Sequence, residues 1–125
     1  MVLLDSNIVI YSTQVEPEYD VLREYLLAHP HCVSLITYVE VLGYHVISEE
    51  DLTELRIFFD STPVLSITTK VAERAVWLRQ KRNMKLGDAF IAATALENRL
   101  KLVTKNTEDF KWIDSLNLTG PLENG

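Results

Sequence analysis

Leu86-Gly87-Asp88-Ala89-Phe90-Ile91-Ala92-Ala93-Thr94-Ala95-Leu96, followed closely by Leu102-Val103-Thr104, decides the fold of this chain. From Ala89 to Leu96 apolar side chains fall on nearly every side of a helix, and a helix without a polar face has to be buried all round. Its alanines are short enough to let it press closely against a sheet. The apolar triplet after it has the length of a strand, not of a helix. A buried helix that feeds a buried strand is half of a βαβ crossover, the unit from which parallel sheets are built.

Outward from this stretch the same alternation recurs. Met1 to Leu4 reads as a first buried strand, ended by Asp5, Ser6 and Asn7, and Ile8 to Tyr11 as a short helix packed against it. Val21, Leu22, Tyr25 and Leu26 have helical spacing within Glu18 to His29, and Pro30 closes that helix. Cys32 to Leu35 is a second strand, after which Thr37 is expected to cap a helix through Tyr38, Val41, Leu42 and His45, with Glu40 in its first turn. Ser48 and Asp51 resemble a capping box that opens a helix to about Phe59. Val64 to Ile67 is a third strand, and Thr68 and Thr69 are candidate caps for a helix from Lys70 to about Lys81. Leu102 to Thr104 is a fourth strand, Leu116 to Thr119 a fifth on the edge, and Leu122 to Gly125 is expected to fray. The fold class is α/β: a single domain over residues 1–125, with a mainly parallel central sheet of four or five strands flanked by helices on both faces.

With 125 residues, 47% of them apolar and 24% charged, the chain has room for one domain and apolar surface enough to close it. Disordered, collagen-like and repeat architectures are excluded. No apolar run approaches the ~18 to 20 residues of a membrane span, so no membrane partner is expected. Asp5 interrupts the first apolar stretch with no base ahead of it, which argues against a secretory leader. The single cysteine, Cys32, permits neither an internal disulfide nor a thiolate cluster and suits a cytoplasmic protein.

The net charge of −6 argues against a protein that coats nucleic acid by bulk positive charge. Its distribution is uneven: Lys70, Arg74, Arg79, Lys81, Arg82 and Lys85 face one acid, Glu73, between positions 70 and 85, a local +5 beside −11 for the rest. Such a ridge is ordinarily a solvated helix face. It is also what an enzyme acting on a phosphodiester chain requires, one surface for the backbone and another for cations.

Ligands of an open parallel sheet bind in the crevice at the carboxyl ends of its strands. Asp5 follows the first strand, Glu40 opens the helix after the second, Asn106 and Asp109 follow the fourth, and Asp88 opens the helix that leads into it. All five are therefore expected at one edge. Each has an ordinary reading alone: Asp5 as a helix cap, Glu40 and Asp88 as complements to a helix dipole, Asp109 as a turn residue. Crowded into one crevice, ionised carboxylates repel one another and raise each other's pKa above about 4. A hard divalent cation relieves that repulsion, and Mg²⁺ typically takes one or a few carboxylates while keeping several waters. The ion can orient a phosphodiester, acidify an attacking water and stabilise the leaving oxygen.

Other chemistries find little support. His29, His31 and His45 have no zinc spacing with Cys32, and no phosphate-loop, dinucleotide or hydrolase-elbow glycine pattern occurs. A haloacid-dehalogenase-type phosphatase also places an Asp after its first strand, but needs another two residues on, where this chain has Asn7.

Taken in order, Val2-Leu3-Leu4-Asp5-Ser6-Asn7, Glu40 after Ser34-Leu35-Ile36-Thr37, Leu86 to Ala95, and Leu102-Val103-Thr104-Lys105-Asn106-Thr107-Glu108-Asp109-Phe110 resemble the PIN-domain ribonucleases over nearly the whole chain. The resemblance is closest to the small VapC-type toxins of toxin–antitoxin pairs. It implies a PIN fold whose acidic cluster binds Mg²⁺ or Mn²⁺ and cleaves RNA endonucleolytically. Asp5, Glu40 and Asp88 match the family's three central acids. Many members carry Asp where this chain has Asn106, with a further acid at the place of Asp109, so the fourth metal-proximal role falls to Asp109 or is shared with Asn106.

The mechanism so implied sets Asp5, Asp88 and Asp109 around the metal, with Glu40 completing the site or taking a proton from the attacking water. Ser6, Asn7, Thr104 and Asn106 would orient the acids by hydrogen bonds, and Lys81, Arg82 and Lys85 would hold the RNA backbone. The resemblance also implies a cognate antitoxin and a homodimer. Tyr11, Val15, Tyr19, Leu22 and Leu26, with the Leu52 to Phe59 helix, could form the antitoxin groove or could equally be ordinary packing. The alternative to an enzyme is a PIN-like binding module that has lost catalysis, a reading encouraged by Asn106.

Overall fold

A computed structural model describes residues 1–123. Strands β1 (Val2–Leu4), β2 (His31–Ser34), β3 (Val64–Leu65), β4 (Lys101–Val103) and β5 (Leu118–Thr119) form one sheet. Their order is β3-β2-β1-β4-β5, and every neighbouring pair is parallel. Between them run α1 (Ser6–Ser12), α2 (Asp20–Ala28), α3 (Leu35–Leu42), α4 (Glu49–Asp60), α5 (Thr69–Lys81) and α6 (Leu86–Asn98), with short 3-10 turns at Pro17–Tyr19 and Thr107–Asp109. No helix among the described residues is long and apolar enough to cross a membrane.

Alternation along each strand divides the core in two. Leu3, Cys32 and Leu102 point to one face, where Val71, Ala75 and Leu78 of α5, the alanines of α6, and Phe110 and Ile113 cover them. Val2, Leu4, Val33 and Val103 point to the other, beneath Ile8 and Val9 of α1, Leu22 of α2, and Leu55 and Phe59 of α4. Helix α3 serves both layers through Ile36 and Val41. Helix α6 is buried at Ala89, Ile91, Ala92, Ala93, Thr94 and Ala95, as its lack of a polar face requires. It ends at Arg99 in the left-handed conformation (φ 54°), which turns the chain into β4.

The order of strands fixes where a site can form. From β1 the chain builds outward through β2 to β3, then returns to the other side of β1 for β4 and β5. Loops leaving β1 and β4 therefore diverge and leave a crevice at their carboxyl ends. Asp5 follows β1 and Thr104 follows β4, so the two flank that crevice.

Several boundaries differ from the sequence reading. Strand β2 stops at Ser34, whose hydroxyl accepts from Ile36 N–H and caps α3. Ser34 wins over Thr37 because the chain turns as soon as its hydroxyl can take a free amide. Thr37 is instead buried within α3, and Glu40 lies in the second turn rather than the first. The predicted Glu18 to His29 helix divides at Tyr19 into a 3-10 turn and α2. Thr68 caps α5, as one of the two candidates. Leu122 packs on the core, and the Glu123 carboxylate accepts from Thr107 N–H (2.9 Å) and Oγ1–H (2.6 Å), so these two residues do not fray. Residues 124 and 125 lie outside the described residues.

Candidate active site

Asp5 is the N-cap of α1, its ordinary reading, and it stands at the crevice, where the expected site would lie. Its Oδ1 accepts from Ser6 N–H (2.8 Å) and its Oδ2 from the Thr104 hydroxyl (2.7 Å). Thr104 Oγ1 accepts in turn from Asn106 N–H (3.1 Å), which fixes the direction of its proton. Only 5% of Asp5 is exposed. Its carboxyl is raised from 3.8 to about 6, chiefly by burial; the bonds from Thr104 and Ser6 oppose the rise, and the charges of Asp88 and Glu40 add to it.

Asp88 stands in the first turn of α6. Its carboxyl is also raised, first by burial and then by Asp109, with Lys85 pulling it down and Glu40 pushing it up. Burial is thus the larger cause at both positions, and mutual repulsion, which the sequence suggested as the cause, the smaller one.

Glu40 reaches the site from α3. Its Oε1 accepts from Ser6 Oγ (2.8 Å), which also lies 3.1 Å from Thr37 Oγ1. Ser6 has one hydroxyl proton and a carboxylate can only accept, so the proton of the second bond comes from Thr37. The chain Thr37, Ser6, Glu40 fixes an otherwise exposed carboxylate. Its other side rests against the bare Cα of Gly87. Asp109 closes the Thr107–Asp109 turn; it is exposed, and the buried Phe110 anchors it. Asn106 caps that turn, and its main-chain carbonyl accepts from Asp109 N–H (3.1 Å). Asn7 faces elsewhere, its Oδ1 accepting from Lys105 N–H (3.3 Å); it braces the exit of β4 and bonds to none of the acids.

Asp5, Glu40 and Asp88 are therefore within electrostatic reach of one another, and Asp109 within reach of Asp88. Among the described residues no three His, Cys, Asp or Glu side chains stand close enough to ligate one ion as they are placed. Nor does any ion pair among the described residues reach these acids; those that form are Arg23–Asp20, Arg74–Glu97 and Lys111–Glu108. The donor set nevertheless fits a hard divalent cation. Every donor is an oxygen, and the most buried carboxylate has no compensating positive charge bonded to it.

The three basic candidates spread apart. Lys85 acts on Asp88; the Arg82 guanidinium lies over Trp112 (5.5 Å), and the Lys81 ammonium over Trp77 (4.4 Å). Sequence reasoning gave no place to Lys105, whose ammonium donates to Tyr11 Oη (3.1 Å) and sits over the Tyr11 ring (4.4 Å), turned toward Tyr19 and Glu18 and away from the acids. It missed also the roles of Thr37 and Gly87. The glycine directly before Asp88 was a signal for the second; nothing local marked the first.

Of the residues suggested for a partner groove, Leu22, Leu55 and Phe59 are core, whereas Val15 and Ile57 are exposed and line, with Phe58, a cleft of about 550 Å³ between the α1–α2 connection and α4. A second cleft, of about 290 Å³, opens beside Glu40, lined by Ile10, Val41, Tyr44, Val46, Ile47 and Leu55 among others.

A family model described as PIN domain matches residues 2–116. The chain is 33% identical to a chain of a toxin–antitoxin complex from Klebsiella pneumoniae, covering 97% of this chain and 98% of that one, with a TM-score of 0.80. It is 25% identical to a chain of VapBC-1 from nontypeable Haemophilus influenzae, over 98% and 100% of the two chains, with a TM-score of 0.77. A DNA-bound VapBC from Salmonella typhimurium has the same fold (TM-score 0.81, 24% identity, 95% and 98% covered). No curated protein sequence matches the chain.

Proposed function

Because this chain belongs to the PIN-domain family, we propose that it is a metal-dependent endoribonuclease of the VapC type, the toxin of a toxin–antitoxin pair acting in the cytoplasm. One observation carries the reading: a buried Asp5 carboxylate, beside Asp88 and Glu40, with no cationic side chain paired to it.

Asp5, Asp88 and Asp109 would hold Mg²⁺ or Mn²⁺ directly or through water, with Asp109 favoured over Asn106 for the fourth position because its charge already acts on Asp88. A bound divalent ion supplies positive charge at the scissile phosphate and lowers the pKa of an attacking water. Thr104 and the Ser6 amide aim the Asp5 oxygens. The Ser6 hydroxyl holds Glu40, which completes the site or takes the proton of the water.

Lys85 and Arg82, with Lys81 further along α5, contact the RNA backbone and so hold the strand without reading its sequence. Lys85→Ala and Arg82→Ala are each expected to weaken RNA binding across unrelated sequences. Each lowers the slope of log affinity against log salt by about 0.7, as loss of one single-strand phosphate contact does. A salt titration of binding to two unrelated RNAs measures this; an unchanged slope removes the residue from the interface.

The cognate antitoxin occupies the cleft beside Glu40, whose apolar lining and acidic border suit an amphipathic segment carrying a basic side chain. The exposed Leu35, Val39, Val76 and Leu86 are the apolar surface available to a second copy in a homodimer. Asn106 and the absence of three converged ligands among the described residues favour one other reading, a PIN-like binding module without catalysis.

Cleavage of total cellular RNA by the purified protein with Mg²⁺, with Mn²⁺ and with EDTA, beside Asp88→Asn, separates the two. Discrete fragments that need both metal and Asp88 support the nuclease. Intact RNA, from folded protein free of any co-purified inhibitor, supports the binding module.

A further inference from the structure

Gly87 is out of place by the ordinary rules for helices. It lies inside the first turn of α6, and none of the described glycines has a positive φ, so its backbone is one that any residue adopts. Alanine at that position favours a helix more than glycine does, because it has less freedom to lose. The reason for glycine must therefore lie in the space where its side chain would be.

That space is filled. A methyl group on Gly87 would overlap Glu40 Oε2 outright and lie 2.9 Å from Glu40 Cδ and 3.2 Å from Oε1. The intruder is the far end of a flexible side chain from α3. We propose that Gly87 is a positioning residue: its missing side chain is the seat of the Glu40 carboxylate beside Asp88, and any larger residue there turns Glu40 out of the site.

Which group yields follows from the packing. Helix α6 cannot retreat, since Ala89, Ile91, Ala92, Ala93 and Ala95 are buried along it. Glu40 is exposed and is held on the other side by the single bond from Ser6. A methyl group at 87 therefore displaces the carboxylate and leaves the fold intact. The motif thus carries two instructions in adjacent positions: Asp88 brings one acid, and Gly87 makes room for another from a different helix.

The inference rests on the nuclease reading, and a double-mutant cycle of Gly87→Ala and Glu40→Ala tests it with three readouts: melting without metal, the rise in melting temperature with Mn²⁺, and cleavage of cellular RNA. Gly87→Ala is expected to melt at or above the wild type, to bind Mn²⁺ and cleave about 10- to 100-fold less well, and to add nothing in the Glu40→Ala background. A Gly87→Ala protein that melts below the wild type, that binds and cleaves as the wild type does, or whose loss multiplies that of Glu40→Ala overturns the inference. A wild type that neither cleaves RNA nor responds to Mn²⁺ instead overturns the nuclease reading itself, while a crystal structure of Gly87→Ala with Glu40 still on Ser6 overturns the seat alone.

Discussion

Asp5→Asn melts higher than the wild type in metal-free buffer at pH 8, and cleaves RNA at least about 10³-fold more slowly. Both effects have one origin. The Asp5 carboxyl moves from 3.8 to about 6 on folding, mainly because burial disfavours its charge. A shift of roughly two units corresponds to about 3 kcal/mol of destabilisation once the group is ionised in both states. The direction follows from proton binding: between pH 4 and 6 the folded protein holds the proton that the unfolded chain has released. The stability Asp5 contributes is therefore fully present below about 3.8 and lost as pH rises through about 6. Asparagine keeps the shape and the oxygen that accepts from Ser6 while removing the charge, but its Nδ2 cannot accept the Thr104 proton and that bond must reverse, so above pH 6 it recovers part of that amount, a few degrees of melting temperature for a domain of this size. On the proposed nuclease reading, activity falls because the most buried of the proposed metal donors becomes neutral, at a centre where groups acting on developing charge are worth about 10² to 10³ each. Melting curves of both proteins in EDTA at pH 5 and pH 8 test the first half; equal melting temperatures at pH 8 would show that Asp5 carries no buried-charge penalty.

Mn²⁺ binding is expected to be nearly constant above pH 7 and to weaken about tenfold for each unit below pH 6. Metal and proton compete for the same oxygens, and a ligand must be deprotonated to coordinate. With Asp5 titrating near 6, one proton leaves for each ion bound in this range. At pH 5 the protein is thus at once more stable without metal and less responsive to it. Titration of Mn²⁺ at pH 5, 6, 7 and 8, followed by the change in melting temperature, measures this. An affinity that does not vary with pH would remove Asp5 from the metal's ligands.

These two results draw on parts of the molecule that were unequally legible beforehand. The sheet and its helices could be read because each strand is a short apolar run and each helix has a capping residue or a marked apolar face; the alanine-rich α6 was the plainest case. The strand ends that carry Asp5 and Thr104 were equally visible, since a polar residue after a buried strand breaks the pattern abruptly. Glu40 was found, but one turn from where it was expected, because Ser34 and Thr37 are both competent caps and only the folded chain decides between them. The Thr104 hydroxyl on Asp5 could be suspected from proximity to the strand end. Thr37 behind Ser6 could not, because its partner comes from 31 residues away and nothing in either segment encodes the meeting. Burial, the main cause of the raised carboxyls, is likewise a property of three elements packed together and has no local signature. The partner groove stayed open for the opposite reason: apolar spacing on α2 and α4 looks the same whether it faces a stranger or the core, and here Leu22 and Phe59 face the core while Ile57 faces solvent.

The central place of β1 has a consequence for the order in which the crevice is assembled. Asp5 is synthesised long before β4, the strand that closes β1 on one side and begins at Lys101. Until that strand leaves the ribosome, Asp5 lacks the Thr104 hydroxyl, and Asp109 has not been made at all. On the proposed nuclease reading, a nascent chain without β4 lacks the assembled site, and activity arises only when β4 and the turn after it dock. Any inhibitor made beforehand has the whole time of synthesis in which to be waiting.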